Sequence, residues 1–139
     1  MLSKIIMNSG IGLVQATFDN LSTSVAATKA RAVTQADLDA GRNAVSIFGN
    51  NQVGITTSTA NLYGKALSVS DELDSKGKPI LVTVQVGGIA DMNGTTTLPT
   101  AGIRVVQQGG KVAASAASTG RGQVTTVYST DHIEIDLGA

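Results

Sequence analysis

Three short stretches of this chain carry residues that can do chemistry. The first is "DHIEID" (Asp131–Asp136), where His132, Glu134 and Asp136 alternate with apolar residues. In a strand they share one face at intervals of roughly 6–7 Å. An imidazole beside carboxylates is an acid–base pair or a partial metal-ligand set, and a metal there needs further ligands. The second is "KPILVTVQVGGIADMNG" (Lys78–Gly94), with paired glycines after a strand and an Asp-x-Asn-Gly run. A phosphate cradle needs such a turn to feed a helix, and "IADMNGTTTLPT" has poor helix propensity. A calcium loop needs several carboxylates, and Asp91 is the single charged ligand before "TTTLPT". The weak metal candidates are therefore Asp91, Asn93, His132 and Glu134. The plainer expectation is a bulge at Gly87-Gly88, a positive-φ turn at Asn93-Gly94, and the polar face of an amphipathic strand around His132. The third stretch is "TGRG" (Thr119–Gly122), whose Arg121 can reach a partner's carboxylate or simply stand in solvent.

His132 is the single histidine, so any Ser-His-acid triad must use it, and no Gly-x-Ser-x-Gly elbow is present. No catalytic residue and no cofactor is assigned, and an enzyme is not expected. Phe18, Phe48, Tyr63 and Tyr128 are the whole aromatic complement, 3% of the chain, too little for a sugar-binding or base-stacking platform. They are core pieces or interface anchors; Phe18, Tyr63 and Arg121 are the interface candidates.

The chain has 139 residues, which fits one domain. Ten basic and ten acidic residues balance to a net charge of +0, and charged residues make up only 14%. That leaves no electrostatic footprint for nucleic acid or an anionic membrane. With no cysteine there is no disulfide framework, zinc–thiolate site or thiol nucleophile. Mean hydropathy is +0.16; a weakly charged, rather apolar exterior favours association. The opening "MLSKIIM" is too short for a signal peptide.

The elements that must position these residues are mostly strands. Residues 1–28 read as an N-terminal arm or a strand, with "GIGLVQATF" (Gly10–Phe18) as the strand candidate, and residues 29–139 as a single β domain. "TQADLDAG" predicts one short helix over about 34–41, with Thr34 as N-cap, Asp37 closing a capping box and Gly41 ending it. "NAVSIFGNNQVGITTST" predicts a hairpin around Gly49-Asn50-Asn51, and "GKALSVS" a further strand. In Pro79–Val86 the residues Ile80, Val82, Val84 and Val86 alternate with Leu81, Thr83 and Gln85, which predicts a central strand. "AGIRVVQQGGKVAAS" turns at Gly109-Gly110. The closing "QVTTVYSTDHIEIDLG" is one long or two short strands, with Ile133, Ile135 and Leu137 on the apolar face. The fold class is mainly β, a small β-barrel or β-sandwich with one short helix and an extended N-terminal segment.

"LYGKALSVSDELDSKGKPILVTVQVGGIADM" (Leu62–Met92) resembles a pattern found in capsid decoration (cement, head-stabilising) proteins of tailed bacteriophages. There a strand carrying Gly-x-Ala leads to a polar loop, a Pro-x-x-Val-x-Val strand, a Gly-hydrophobic step and an acid-containing turn. Gly64-Lys65-Ala66, the loop to Gly77, Pro79–Val86, Gly88-Ile89 and Asp91 are similar to those parts, and "GRGQVTTVYSTDHIEIDLG" to the closing strand. The resemblance covers about half of the chain. It implies a non-enzymatic virion structural protein, made in the host cytoplasm. Such a protein binds the major capsid protein on the capsid exterior as a homotrimer and stabilises the expanded shell against internal DNA pressure. Two other roles are open: a tail-tube or head–tail connector component, and a calcium- or carbohydrate-binding β-domain.

Overall fold

The computed structural model of the chain describes residues 14–22, 30–95, 98–115, 118 and 120–138. Among the described residues twelve strands and one helix follow in the order β1 (Val14–Asn20), β2 (Ala30–Arg31), α1 (Gln35–Asp39), β3 (Ala44–Gly49), β4 (Gln52–Thr56), β5 (Thr59–Asn61), β6 (Gly64–Val69), β7 (Leu81–Gly87), β8 (Ile89–Met92), β9 (Val105–Gln108), β10 (Lys111–Ala114), β11 (Gln123–Ser129) and β12 (His132–Asp136). The protein is mainly β, as the alternating Val/Ile/Thr runs require. "MLSKIIM" and the start of the expected "GIGLVQATF" strand lie outside the described residues; from Val14 onward that stretch is a strand integrated in the sheet.

Five strands close into a barrel in the order β1-β7-β6-β3-β4, and β4 returns to β1 through a parallel pairing of Asp19 with Gln52 and Asn20 with Val53. β2 continues along the same edge of β4, pairing Ala30 with Thr56. The alternation in β7 holds over its first half, where Val82 and Val84 are fully buried and Leu81 stands out to solvent; it breaks at Gln85, expected outside but buried, and Val86, expected inside but only partly buried. Val82 and Val84 join Phe18, Val33, Val45, Val53, Ile55 and Ala66 in the barrel core. β7 is central, flanked by β1 and β6. Gly64 on β6 permits this packing, because a Cβ there would lie 2.3 Å from the Gln85 carbonyl oxygen.

The remaining strands form two three-stranded sheets, β10-β9-β5 and β11-β12-β8. Between them lies a second core built from Leu62, Met92, Val105, Val112, Val124, Ile133, Ile135 and Leu137. The β9–β10 hairpin turns at Gly109-Gly110 as expected, and the closing stretch, read as one long or two short strands, is two strands paired antiparallel, Ser129 with His132. The two cores meet along β3, where Ala44 packs into the second and Val45 into the first.

Gly88 is the corner between the two halves. Its φ of +82° is open to glycine at little cost, and it turns the chain from the barrel into β8. The expected turn at Asp91–Gly94 is therefore displaced: Ile89–Met92 is a strand, paired to β12. Gly94 also differs from expectation. It is not among the positive-φ residues; it is small because a Cβ there would meet the Ile133 side chain at 2.5 Å.

Candidate functional site

Buried polar residues hold the scaffold that presents any site. Asp37 closes the predicted capping box with Thr34 and so starts α1 tightly; Ala40 is its C-cap. Its side chain is 1% exposed and receives Arg31 at 2.7 and 2.8 Å and Arg42 at 2.9 Å. Burial alone would raise the carboxyl's pKa, but the hydrogen bonds from Arg31, Arg42 and Thr34 outweigh it and hold the group well below the usual carboxylate range. Gln107, fully buried, accepts from the Gly110 amide at 2.9 Å and donates to Ser46 Oγ at 3.1 Å, stitching the second half to the barrel. Gln85 Nε2 donates to the carbonyls of Gly87 and Ile89, clamping the corner at Gly88.

On the solvent face of the β11-β12-β8 sheet, three of the four metal candidates come together. Register pairs Glu134 directly with Asp91, and Ile133 with Met92. The apolar residues Ile133 and Ile135 turn inward and are fully buried, so His132 and Glu134 turn outward beside Asp91. One ligand atom each from Asp91, His132 and Glu134 lies within 4.8 Å of the others. His132 Nε2 is 3.2 Å from Asp91 Oδ1. The Tyr128 ring stacks on the imidazole at 4.3 Å between centroids and 24° between planes, and its hydroxyl lies 3.5 Å from Glu134 Oε1. Lys65, on β6, is a further charge in this neighbourhood: burial lowers its pKa, and the Asp91 carboxylate opposes that shift. Asn93, the fourth candidate, stands beside Gly41 after α1: a Cβ built on Gly41 would meet its Nδ2 at 2.0 Å.

The three interface candidates also meet, but in a different role. Phe18 is a core residue with 7% of its surface exposed, which leaves little of it for a partner. Its ring meets Tyr63 edge-on at 5.4 Å. Arg121 covers the other side of Tyr63, 4.9 Å from the ring centroid, and donates to the Val86 carbonyl. The "TGRG" arginine is thus tied to the barrel wall. It borders an open groove of about 370 Å³ with Ile47, Asn61 and Tyr63. Of the remaining aromatics, Phe48 is half-buried and Tyr128 is 59% exposed.

Composition alone pointed to His132 and Asp91 separately. Their adjacency depends on the β8–β12 register across 41 residues, for which no local pattern exists. Among the described residues no helix is long and apolar enough to cross a membrane. No protein-family model, no curated protein and no solved structure matches this chain.

Proposed function

We propose that this chain is a non-enzymatic virion structural protein that binds the major capsid protein on the outside of a phage shell and stabilises the expanded particle as a homotrimer. The observation that carries this reading is the set of exposed hydrophobics on the outer faces of the barrel and of the neighbouring β8. Val14, Leu67, Leu81 and Ile89 stand on β1, β6, β7 and β8 with 37–49% of their surface exposed. They sit on a chain with only 14% charged residues. Strand-borne hydrophobics on a rigid, weakly charged scaffold suit a protein whose work is contact area; a standard contact buries roughly 1,600 Å². The stretch that resembles decoration proteins, Leu62–Met92, supplies three of those four residues and the central strand beneath them.

The test is co-sedimentation with expanded shells that lack the protein. The expected result is a saturable pellet fraction and a higher thermal transition for the shells. Protein left wholly in the supernatant, with shells of unchanged stability, would overturn the reading.

A further inference from the structure

We propose that Asp91, His132 and Glu134 form a binding site for a zinc-type divalent transition metal, with an open coordination position toward solvent. The three donors come from two neighbouring strands whose register is fixed by four residue pairs, Ile133–Met92 through Asp136–Ile89. Their placement therefore follows from the sheet and not from a loop. A tetrahedral zinc ion with bonds near 2.1 Å sets its ligands about 3.4 Å apart. His132 Nε2 and Asp91 Oδ1, at 3.2 Å, already stand at that spacing. Glu134 lies within 4.8 Å of both and closes the set by a rotation of its flexible carboxylate.

The donor chemistry selects the metal. One imidazole nitrogen and two carboxylates suit zinc, cobalt, nickel or copper, whereas calcium and magnesium take all-oxygen shells. The sequence-level calcium loop needed Asn93, which lies beside Gly41 instead. Two further features fit a cation. Asp91 and Glu134 are direct cross-strand neighbours, and opposed carboxylates repel; a metal between them turns repulsion into coordination. Tyr128 stacks on His132 and fixes the plane of the ring, the kind of outer contact that orients a ligating histidine. Lys65, whose ammonium interacts electrostatically with Asp91, competes with a bound cation and limits its affinity.

The site rests on surface residues, so its removal should not unfold the protein: the His132 and Asp91 side chains are 46% and 58% exposed. The experiment is calorimetric titration of the full chain at neutral pH with zinc chloride, and separately with calcium and magnesium. Zinc is expected to bind at one ion per chain and raise the melting temperature by several degrees; cobalt should give a visible absorption band. H132Q and D91N, checked for unchanged circular dichroism, should each weaken zinc at least tenfold. Absence of saturable zinc heat up to millimolar concentration, undiminished binding by H132Q, or calcium binding as tight as zinc would each overturn the proposal. None of these outcomes bears on shell binding, so the two proposals stand or fall separately.

Discussion

At the scale of single residues, the most heavily committed side chain is Asp37. It caps a helix of five residues that is too short to stand alone, and it joins Arg31 on β2 to Arg42 just before β3. Because its folded pKa lies below the ordinary value, it stabilises the fold fully above about pH 4. That contribution is lost as pH falls toward the folded value. Asp37→Asn should therefore cost about 2–3 kcal/mol at pH 7, since a lost buried ion pair is expensive and the arginines here remain partly solvated. The difference between wild type and variant should shrink steadily below pH 4 in urea denaturation. An unchanged difference down to pH 2 would contradict the assigned role. Glycines give a second contrast. Gly64→Ala places its methyl against backbone, at 2.3 Å from a carbonyl oxygen, and should cost about 3 kcal/mol or more. Gly94→Ala meets only the tip of Ile133, which can swing aside, and should cost about 1–2 kcal/mol. Thermal melts of the two variants decide the order.

At the scale of elements, the pieces with a local signal were legible and the junctions were not. The alternation from Ile80 to Val86 announced a central strand, and Thr34 with Asp37 announced the helix start, because period and capping are properties of neighbouring residues. The strand Ile89–Met92 was hidden, since "GGIADMNG" has the composition of a turn while its pairing partner lies some 40 residues further on. Gln85, Gln107 and Asn20 were hidden for a related reason. Amides are ordinarily surface residues, and only the fold shows that these three are buried with their polar atoms met by backbone or hydroxyl partners. Gln107 is one of the bonds between the halves, beside the Ala44 amide on the Gly110 carbonyl and the Gly109 amide on the Thr56 carbonyl. Replacing Gln107 by Leu leaves the Gly110 amide without its acceptor, while the Ser46 hydroxyl keeps its bond to the Asn61 carbonyl, and should cost about 2 kcal/mol. If the amide couples the barrel to the β9–β10 hairpin, that hairpin's amides should lose hydrogen-exchange protection before the barrel's do. Equal loss everywhere would assign Gln107 a purely local role.

At the scale of the whole molecule, the proposed function rests on the exposed apolar surface. Among the described residues eight large hydrophobics stand 37–59% exposed, and a neutral chain offers little charge repulsion to keep copies apart. Substituting Leu81 and Ile89 by Ser removes exposed apolar area without touching either core. Under the proposed function the double variant should keep its melting temperature within a few degrees and lose shell binding or self-association, read by sedimentation and light scattering. Retained binding would place the contact surface elsewhere, the groove beside Tyr63 and Arg121 being the next region to probe.

The barrel's seams are unequal, and this has a mechanical consequence. β1 meets β7 through six residue pairs and β7 meets β6 through four, but β1 meets β4, and β3 meets β6, through two each. The cylinder is thus two leaves, a three-stranded one and the β3–β4 hairpin, hinged along two thin joints. Beside one joint, Asn20 ties β1 to the segment after β2 and to the entry of β7: its amide takes the Val33 N–H at 2.8 Å and donates to the carbonyls of Val33 and Pro79. Force across the barrel should open it there, like a clamshell, with each leaf intact. The amides of Asp19 and Leu21, which cross to Asn51 and Val53, should accordingly exchange sooner than those inside β7, and soonest of all in Asn20→Ala.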